Sequence, residues 1–216
     1  MRRVRIGVFA GVIALTGVVV TAAPGAHAAT ATCGSACVAL ASQAFGESDV
    51  SAVQVTIVGR HIEIGPDIVL GEAGPDSIED FWLEPVGTVT EFYDAGLIGP
   101  AVGLTWPTAE VYEYQYDPEG DLSGDCLGTA STAESGTGIS LQPCGLSADT
   151  CWVPDSAYAG KGFEPLIAAS ETSASDPEVL SEDGVDKQLT TSPLVYEGLY
   201  GFVLPGQMWE NVSGVL

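Results

Sequence analysis

The chain has 216 residues, of which 46% are hydrophobic and only 16% charged, with 29 acidic side chains against six basic ones and a net charge of −23. A surface this acidic repels phosphate backbones and anionic bilayers, so neither nucleic acid nor a membrane is expected as a partner. The acidity reads first as a means of solubility, and no cofactor is expected.

The start, Met1-Arg2-Arg3-Val4-Arg5, is basic, Ile6 to Val20 carries no charge, and Ala26-His27-Ala28 supplies small residues around a cleavage point. This pattern is a secretory signal peptide over residues 1–28, and it places the protein outside the cell. The apolar run is short for a bilayer anchor and is soon followed by Pro24. The mature chain is expected to begin at Ala29, with an N-terminal segment over residues 29–44 and a single monomeric domain over residues 45–216. Removing the leader leaves Arg60, Lys161 and Lys187 to face all 29 acids.

All five cysteines lie beyond the leader, where an oxidising environment lets disulfides persist. Cys33 and Cys37 are near enough in sequence to pair through a tight turn, with other pairings open. Val53, Val55 and Ile57 alternate with Gln54 and Thr56 as a half-buried strand does, and Ile62 and Ile64 continue the pattern. Thr88 and Glu91 fit a capping box that starts a short helix; Val89, Phe92 and Tyr93 share its face, and Gly96 can stop it. Cys126 and Cys144 flank two strands whose hairpin tip is Ser131 to Gly138, and a disulfide closing that loop would contribute on the order of 3 kcal/mol. Cys151 is left over, on the face of its strand opposite Trp152. The polar, turn-rich stretch from Asp155 to Asp183 reads as an insertion.

Three stretches lead to a tryptophan in similar ways. Ile68 precedes Trp82 by 14 positions, Ile139 precedes Trp152 by 13, and Gly206-Gln207-Met208 runs into Trp209. Such self-similarity speaks for a repeat architecture. Cys126-Leu127-Gly128, Ile139-Ser140-Leu141-Gln142-Pro143-Cys144-Gly145 and the closing Trp152 together resemble one repeat of a ricin-type β-trefoil lectin. Gln207-Met208-Trp209 matches that family's Gln-x-Trp signature, and the chain is also similar to small secreted trefoil-type proteins of actinobacteria. The resemblance implies an all-β fold: a β-trefoil of pseudo-threefold repeats, interrupted by the short helix, with Trp82, Trp152 and Trp209 buried about the axis.

The same resemblance implies where a sugar would sit. A repeat of this type carries an aspartate two residues after its first cysteine and an aromatic residue near the second. Here Gly128 and Gln142 stand at those places, with Gly145 where an asparagine is common. In the first unit His61 would replace the first cysteine, which leaves Glu63 at the acidic position with Gly71 and Gly74 at the others. The usual sugar chemistry is thus incomplete, and a fold does not confer function.

Other groups offer chemistry. Tyr112, Tyr114 and Tyr116 alternate with Glu113 and Gln115, placing three rings on one strand face, either as a stacking platform for sugar or as core. Asp117, Glu119, Asp121 and Asp125 offer oxygen ligands for a metal such as calcium, although Leu122 occupies the place where an EF-hand loop needs glycine, and a solvated acidic turn is the plainer reading. Asn211-Val212-Ser213 fits a glycosylation acceptor. His61 is the one histidine left after the leader, so any Ser-His-Asp arrangement must use it; Gly-x-Ser-x-Gly is absent, and a pair of carboxylates could still hydrolyse glycosides. The reading is a secreted binding module for carbohydrate or a cell-surface polymer. The alternatives are a glycoside hydrolase using carboxylates and an extracellular structural or interaction protein.

Overall fold

The computed structural model describes residues 37–45, 51–55, 67–72, 81–117, 123–158, 162–171, 177–184, 186–197 and 202–213. Its strands are β1 Cys37–Ser42, β2 Ser51–Val55, β3 Ile68–Glu72, β4 Phe81–Thr88, β5 Glu110–Tyr116, β6 Asp125–Thr129 and β7 Ile139–Pro143. They continue as β8 Cys151–Pro154, β9 Leu166–Ala168, β10 Glu178–Ser181, β11 Thr190–Pro193, β12 Tyr196–Glu197, β13 Phe202–Val203 and β14 Trp209–Ser213. Two short helices, α1 Val89–Asp94 and α2 Pro100–Thr105, lie between β4 and β5.

Six strands close on themselves. β1 pairs β4, β4 pairs β5, β5 pairs β8 and β8 pairs β9; a bridge from Glu164, just before β9, to Trp209 reaches β14, which pairs β1. A closed barrel leaves no sheet edge exposed. Three hairpins, β2–β3, β6–β7 and β10–β11, gather at one end. Their contacts form a triangle around Ile68, Ile139 and Leu189: Asp67 bridges Ser140, Gly138 bridges Thr190, and Gln188 bridges Val69. In each bridge the residue before one corner meets the residue after the next. The corners also bond directly, from Ile139 N–H to Leu189 C=O at 2.9 Å and from Leu189 N–H to Ile68 C=O at 2.7 Å.

This triangle fixes a pseudo-threefold axis and the equivalences around it. Ile139 precedes Trp152 by 13 residues, and the residue 13 after Ile68 is Phe81, not Trp82. Phe81, Trp152 and Trp209 all lie in the barrel core at 0–1% exposure. Phe81 pairs Val38 and Tyr116, Trp152 pairs Tyr112 and Ala168, and Trp209 meets Glu164 and Ser42. The expectation that Trp82 fills the core is therefore corrected by one residue. Side chains alternate across a strand, and Trp82 is half-buried. The indole N–H groups of Trp152 and Trp209 donate to the equivalent carbonyls of Leu127 and Leu180, both at 2.9 Å.

β1 precedes residue 45, where the domain was expected to start, and is one of the six barrel strands. The stretch 155–183, read as an insertion, supplies β9 and β10. The hairpin tip between Cys126 and Cys144 is as expected, and the disulfide between those residues is formed with the Cα atoms 5.1 Å apart. Cys33 lies outside the described residues, and its pairing with Cys37 is not described.

A second apolar layer covers the outer faces of β5, β8 and β9, where Val111, Cys151, Val153 and Ile167 meet Val89, Phe92, Val102 and Trp106. The capping box forms: the Thr88 hydroxyl accepts from the Glu91 N–H, and the Glu91 carboxylate accepts from the Thr88 N–H at 2.8 Å. Val89 and Phe92 are buried and Gly96 takes a left-handed φ of 74°. The sequence reading lacks α2, whose Gly103 leaves room for the Tyr93 ring; a Cβ there would come within 2.4 Å of it. The thiol of Cys151 is free, and burial, reinforced by the nearby Glu113, pushes it up to about 12. It is therefore a packing residue at physiological pH.

Candidate functional site

The places where the resemblance implies sugar contacts can be read from register. Val53, Leu127 and Leu180 pair with Leu70, Leu141 and Thr191, each two residues beyond its triangle corner. The aspartate position is therefore taken by Gln54, Gly128 and Ser181, and the aromatic position by Gly71, Gln142 and Ser192. The expected alignment of His61 and Glu63 is corrected: Ala52 and Gln54 occupy those places, and His61 and Glu63 lie outside the described residues.

In the second unit the space itself is closed. A Cβ on Gly128 would lie 2.8 Å from the Asp149 carbonyl oxygen, and Gln142 turns its amide to the Ser140 hydroxyl at 2.7 Å. Glu113 is 5% exposed and accepts from the Gly145 and Leu146 N–H groups and from the Thr150 hydroxyl at 2.6 Å. In the third unit Ser181 and Ser192 bond to each other at 2.5 Å, and the Gln207 amide donates to Ser192 at 2.8 Å. These side chains bond one another on the wall of a hollow of about 610 Å³ that Glu182, Asp183 and Pro205 also line.

The opposite end of the barrel carries a hollow of its own, of about 330 Å³, within the range of small-ligand sites. Leu83, Pro154 and Asn211 line it, each two residues beyond Phe81, Trp152 and Trp209, so the hollow sits on the pseudo-threefold axis. Tyr112 and Glu164 also line it, and with Val38 they form an equivalent set. Both sets are broken by the third unit. Glu164 stands where the others have valine and tyrosine, and Asn211 stands where they have leucine and proline.

Glu164 is held by paired backbone bonds with Trp209, at 2.8 and 3.0 Å. Burial, with a smaller contribution from Asp155, raises its carboxyl above the ordinary value. Asp155 is 2% exposed and accepts from the Trp106 indole at 2.8 Å, which ties the helical layer to this end of the barrel. The Tyr112 hydroxyl donates to the Glu110 carboxylate, and burial followed by that bond pushes the phenol up to about 12. Tyr114 is fully buried one layer below. Its hydroxyl is buried and interacts with the Asn211 side chain.

The three tyrosines all face the barrel interior. Tyr114 and Tyr116 are 0% exposed and belong to the core, which corrects their reading as a stacking surface; only Tyr112 reaches the hollow. Of the metal-ligand set, Asp117 is 1% exposed while Glu119 and Asp121 lie outside the described residues. Asn211 belongs to a strand with its side-chain oxygen turned inward, a poor geometry for a glycosylation acceptor.

A second hollow of about 320 Å³, lined by Tyr158, Gly162, Phe163 and Glu210, shares Glu164 and Asn211 with the first. The two form a double depression with a common wall.

No family model matches the chain, and no curated protein is significantly similar to it in sequence. Among solved structures, the designed three-fold symmetric protein ThreeFoil matches 82% of this chain and 99% of its own, with TM-score 0.52 and 11% identity. The chain is a β-trefoil. A mosquitocidal holotoxin aligns with TM-score 0.53 and 10% identity over 82% of this chain, which spans 17% of the toxin. The β-trefoil lectin of the Vibrio vulnificus hemolysin/cytolysin, solved with N-acetyl-D-lactosamine bound, gives TM-score 0.48 and 13% identity over 82% of this chain and 94% of its own. Likeness at such identities concerns the fold alone.

Proposed function

We propose that the protein is a secreted binding module that holds a carbohydrate, free or within a cell-surface polymer, at the mouth of its barrel and not at the three hairpin sites. The observation that carries this reading is the broken symmetry of the mouth. Two layers whose other copies hold valine, tyrosine, leucine and proline gain Glu164 and Asn211, which line the open hollow. Polar side chains kept where repetition calls for apolar packing are accounted for by a ligand that they contact. Tyr112 adds a ring, and Glu110 and Thr108 add polar groups at the rim, a combination suited to saccharide hydroxyls and apolar sugar faces.

Titration of the purified protein with a panel of oligosaccharides, followed by amide NMR, tests the reading. Saturable shifts at Tyr112, Glu164 and Asn211, weakened by Tyr112→Ala, are expected. Shifts confined to the hairpin triangle, or none across the panel, would refute it.

A second reading follows from the two carboxylates Glu110 and Glu164 in one hollow. The raised Glu164 fits a general acid that protonates a glycosidic oxygen. Release of reducing ends from a polysaccharide, lost in Glu164→Gln, would favour hydrolysis over binding alone.

A further inference from the structure

We propose that the double hollow at the barrel mouth selects saccharides that carry a free amine, a glucosamine-type residue, over their neutral N-acylated counterparts. The inference rests on the mouth being the binding site and adds the charge of the ligand.

The first ground is the chemistry of the lining. Glu110, Glu164 and Glu210 distribute three carboxylates over the two hollows, and no basic side chain stands among the described residues that line either one. Asn211, in the shared wall, lines both hollows beside Glu164. No described residue donates to the Glu164 carboxylate, whereas that of Glu110 receives the Tyr112 hydroxyl. The lining is therefore rich in carboxylate acceptors, and an ammonium group brings three donors to them.

The second ground is electrostatic. Glu164 lies close enough to Asp155 for the two to repel, and burial already disfavours its charge. A ligand cation between the two hollows offsets both effects, since an opposite charge within a few ångströms favours the ionised carboxylate. A neutral acetamide offers one donor and no charge. The third ground is scale: the two hollows, about 330 and 320 Å³, meet at Glu164 and Asn211, so two adjoining sugar residues can sit on either side of that wall. The whole chain, at −23, also draws cations toward itself.

The experiment compares the glucosamine dimer with N,N′-diacetylchitobiose by calorimetry and amide NMR on the purified protein, at about pH 6, where amines are charged and ordinary carboxylates ionised. The dimer is expected to bind at least about tenfold tighter, equivalent to about 1.4 kcal/mol. Its affinity should fall as salt rises from about 0.05 to 0.5 M, because charges near solvent are screened. Glu164→Gln and Glu210→Gln should bring the ratio of the two affinities toward one while thermal unfolding stays cooperative. Equal or tighter binding of the acetylated dimer, at the same mouth residues, would overturn the charge selection and leave mouth binding standing. Binding of 1,5-diaminopentane as tight as that of the glucosamine dimer would overturn it too, since charge without sugar would then suffice. Shifts elsewhere, or no binding of any saccharide, would remove both readings together.

Discussion

Gly128 is where the acid of a lectin repeat would be restored, and the structure says what restoring it would do. Its φ is not in the left-handed region, so an ordinary Gly→Ala change would stabilise by about 0.4–1 kcal/mol through the unfolded chain. The position is buried, however, and a Cβ would meet the Asp149 carbonyl oxygen at 2.8 Å, the Thr150 methyl at 3.1 Å and the Gln142 Cγ at 3.3 Å. The nearest of these is backbone, held by the turn in which the Ser147 hydroxyl accepts from the Asp149 N–H. Overpacking of this kind costs about 1–3 kcal/mol, so Gly128→Ala should be destabilising on balance. Gly128→Asp adds a carboxylate with no basic partner in view and should lose more, about 3 kcal/mol or beyond. Urea unfolding of the three proteins measures the order, and galactose titration of the Asp variant measures function. An Asp variant that is as stable as the parent and binds galactose would refute the argument that this repeat is closed by packing.

Three further outcomes are expected. Changing Cys126 and Cys144 together to Ala opens a loop of sequence separation 18 and should lower stability by about 3 kcal/mol in denaturant unfolding under oxidising conditions. Glu178 is 6% exposed, and burial with the nearby carboxylates of Glu171 and Glu134 raises it from 4.5 to about 7. Because the folded value lies above the unfolded one, its contribution to stability is present below pH 4.5 and is lost as pH rises to about 7. Glu178→Gln should raise Tm at neutral pH and flatten that part of the profile, and an unchanged Tm–pH curve would count against it. Thr88→Ala removes the hydroxyl that caps α1 and should cost about 1 kcal/mol, read from the same unfolding curves.

Much of the fold was legible because it rests on short-range patterns. Alternation marked the strands, Thr88 and Glu91 marked the helix start, and the Cys126–Cys144 hairpin followed from spacing. The error at Trp82 has a physical cause: tryptophan is the larger apolar residue, yet the 13-residue spacing from Ile68 selects Phe81, and one residue along a strand reverses the face. The misplacement of His61 and Glu63 arose because alignment by residue type cannot see the ladder that pairs Val53 with Leu70. β9 escaped notice because its three residues, Leu166–Ala168, are embedded in turn-rich sequence.

The mouth was the least legible part, because no stretch of sequence contains it. Leu83, Tyr112, Pro154, Glu164 and Asn211 come from four barrel strands and a turn before a fifth, and only the closed barrel brings them to one axis. The hairpin triangle repeats one backbone pattern three times, and in its second and third units Gln142 bonds Ser140 and Ser181 bonds Ser192. At the mouth repetition fails: the α1–α2 insertion enters at Ala109 from one side, and the turn that carries Glu164 enters from another. A threefold scaffold makes departures from symmetry readable, since two copies of each position state what packing alone requires. Glu164 departs from Val38 and Tyr112, and Asn211 departs from Leu83 and Pro154, toward polar groups that weaken an apolar layer. Residues that break a local rule at a cost in stability mark where function overrides packing, and here both belong to the wall between the two hollows.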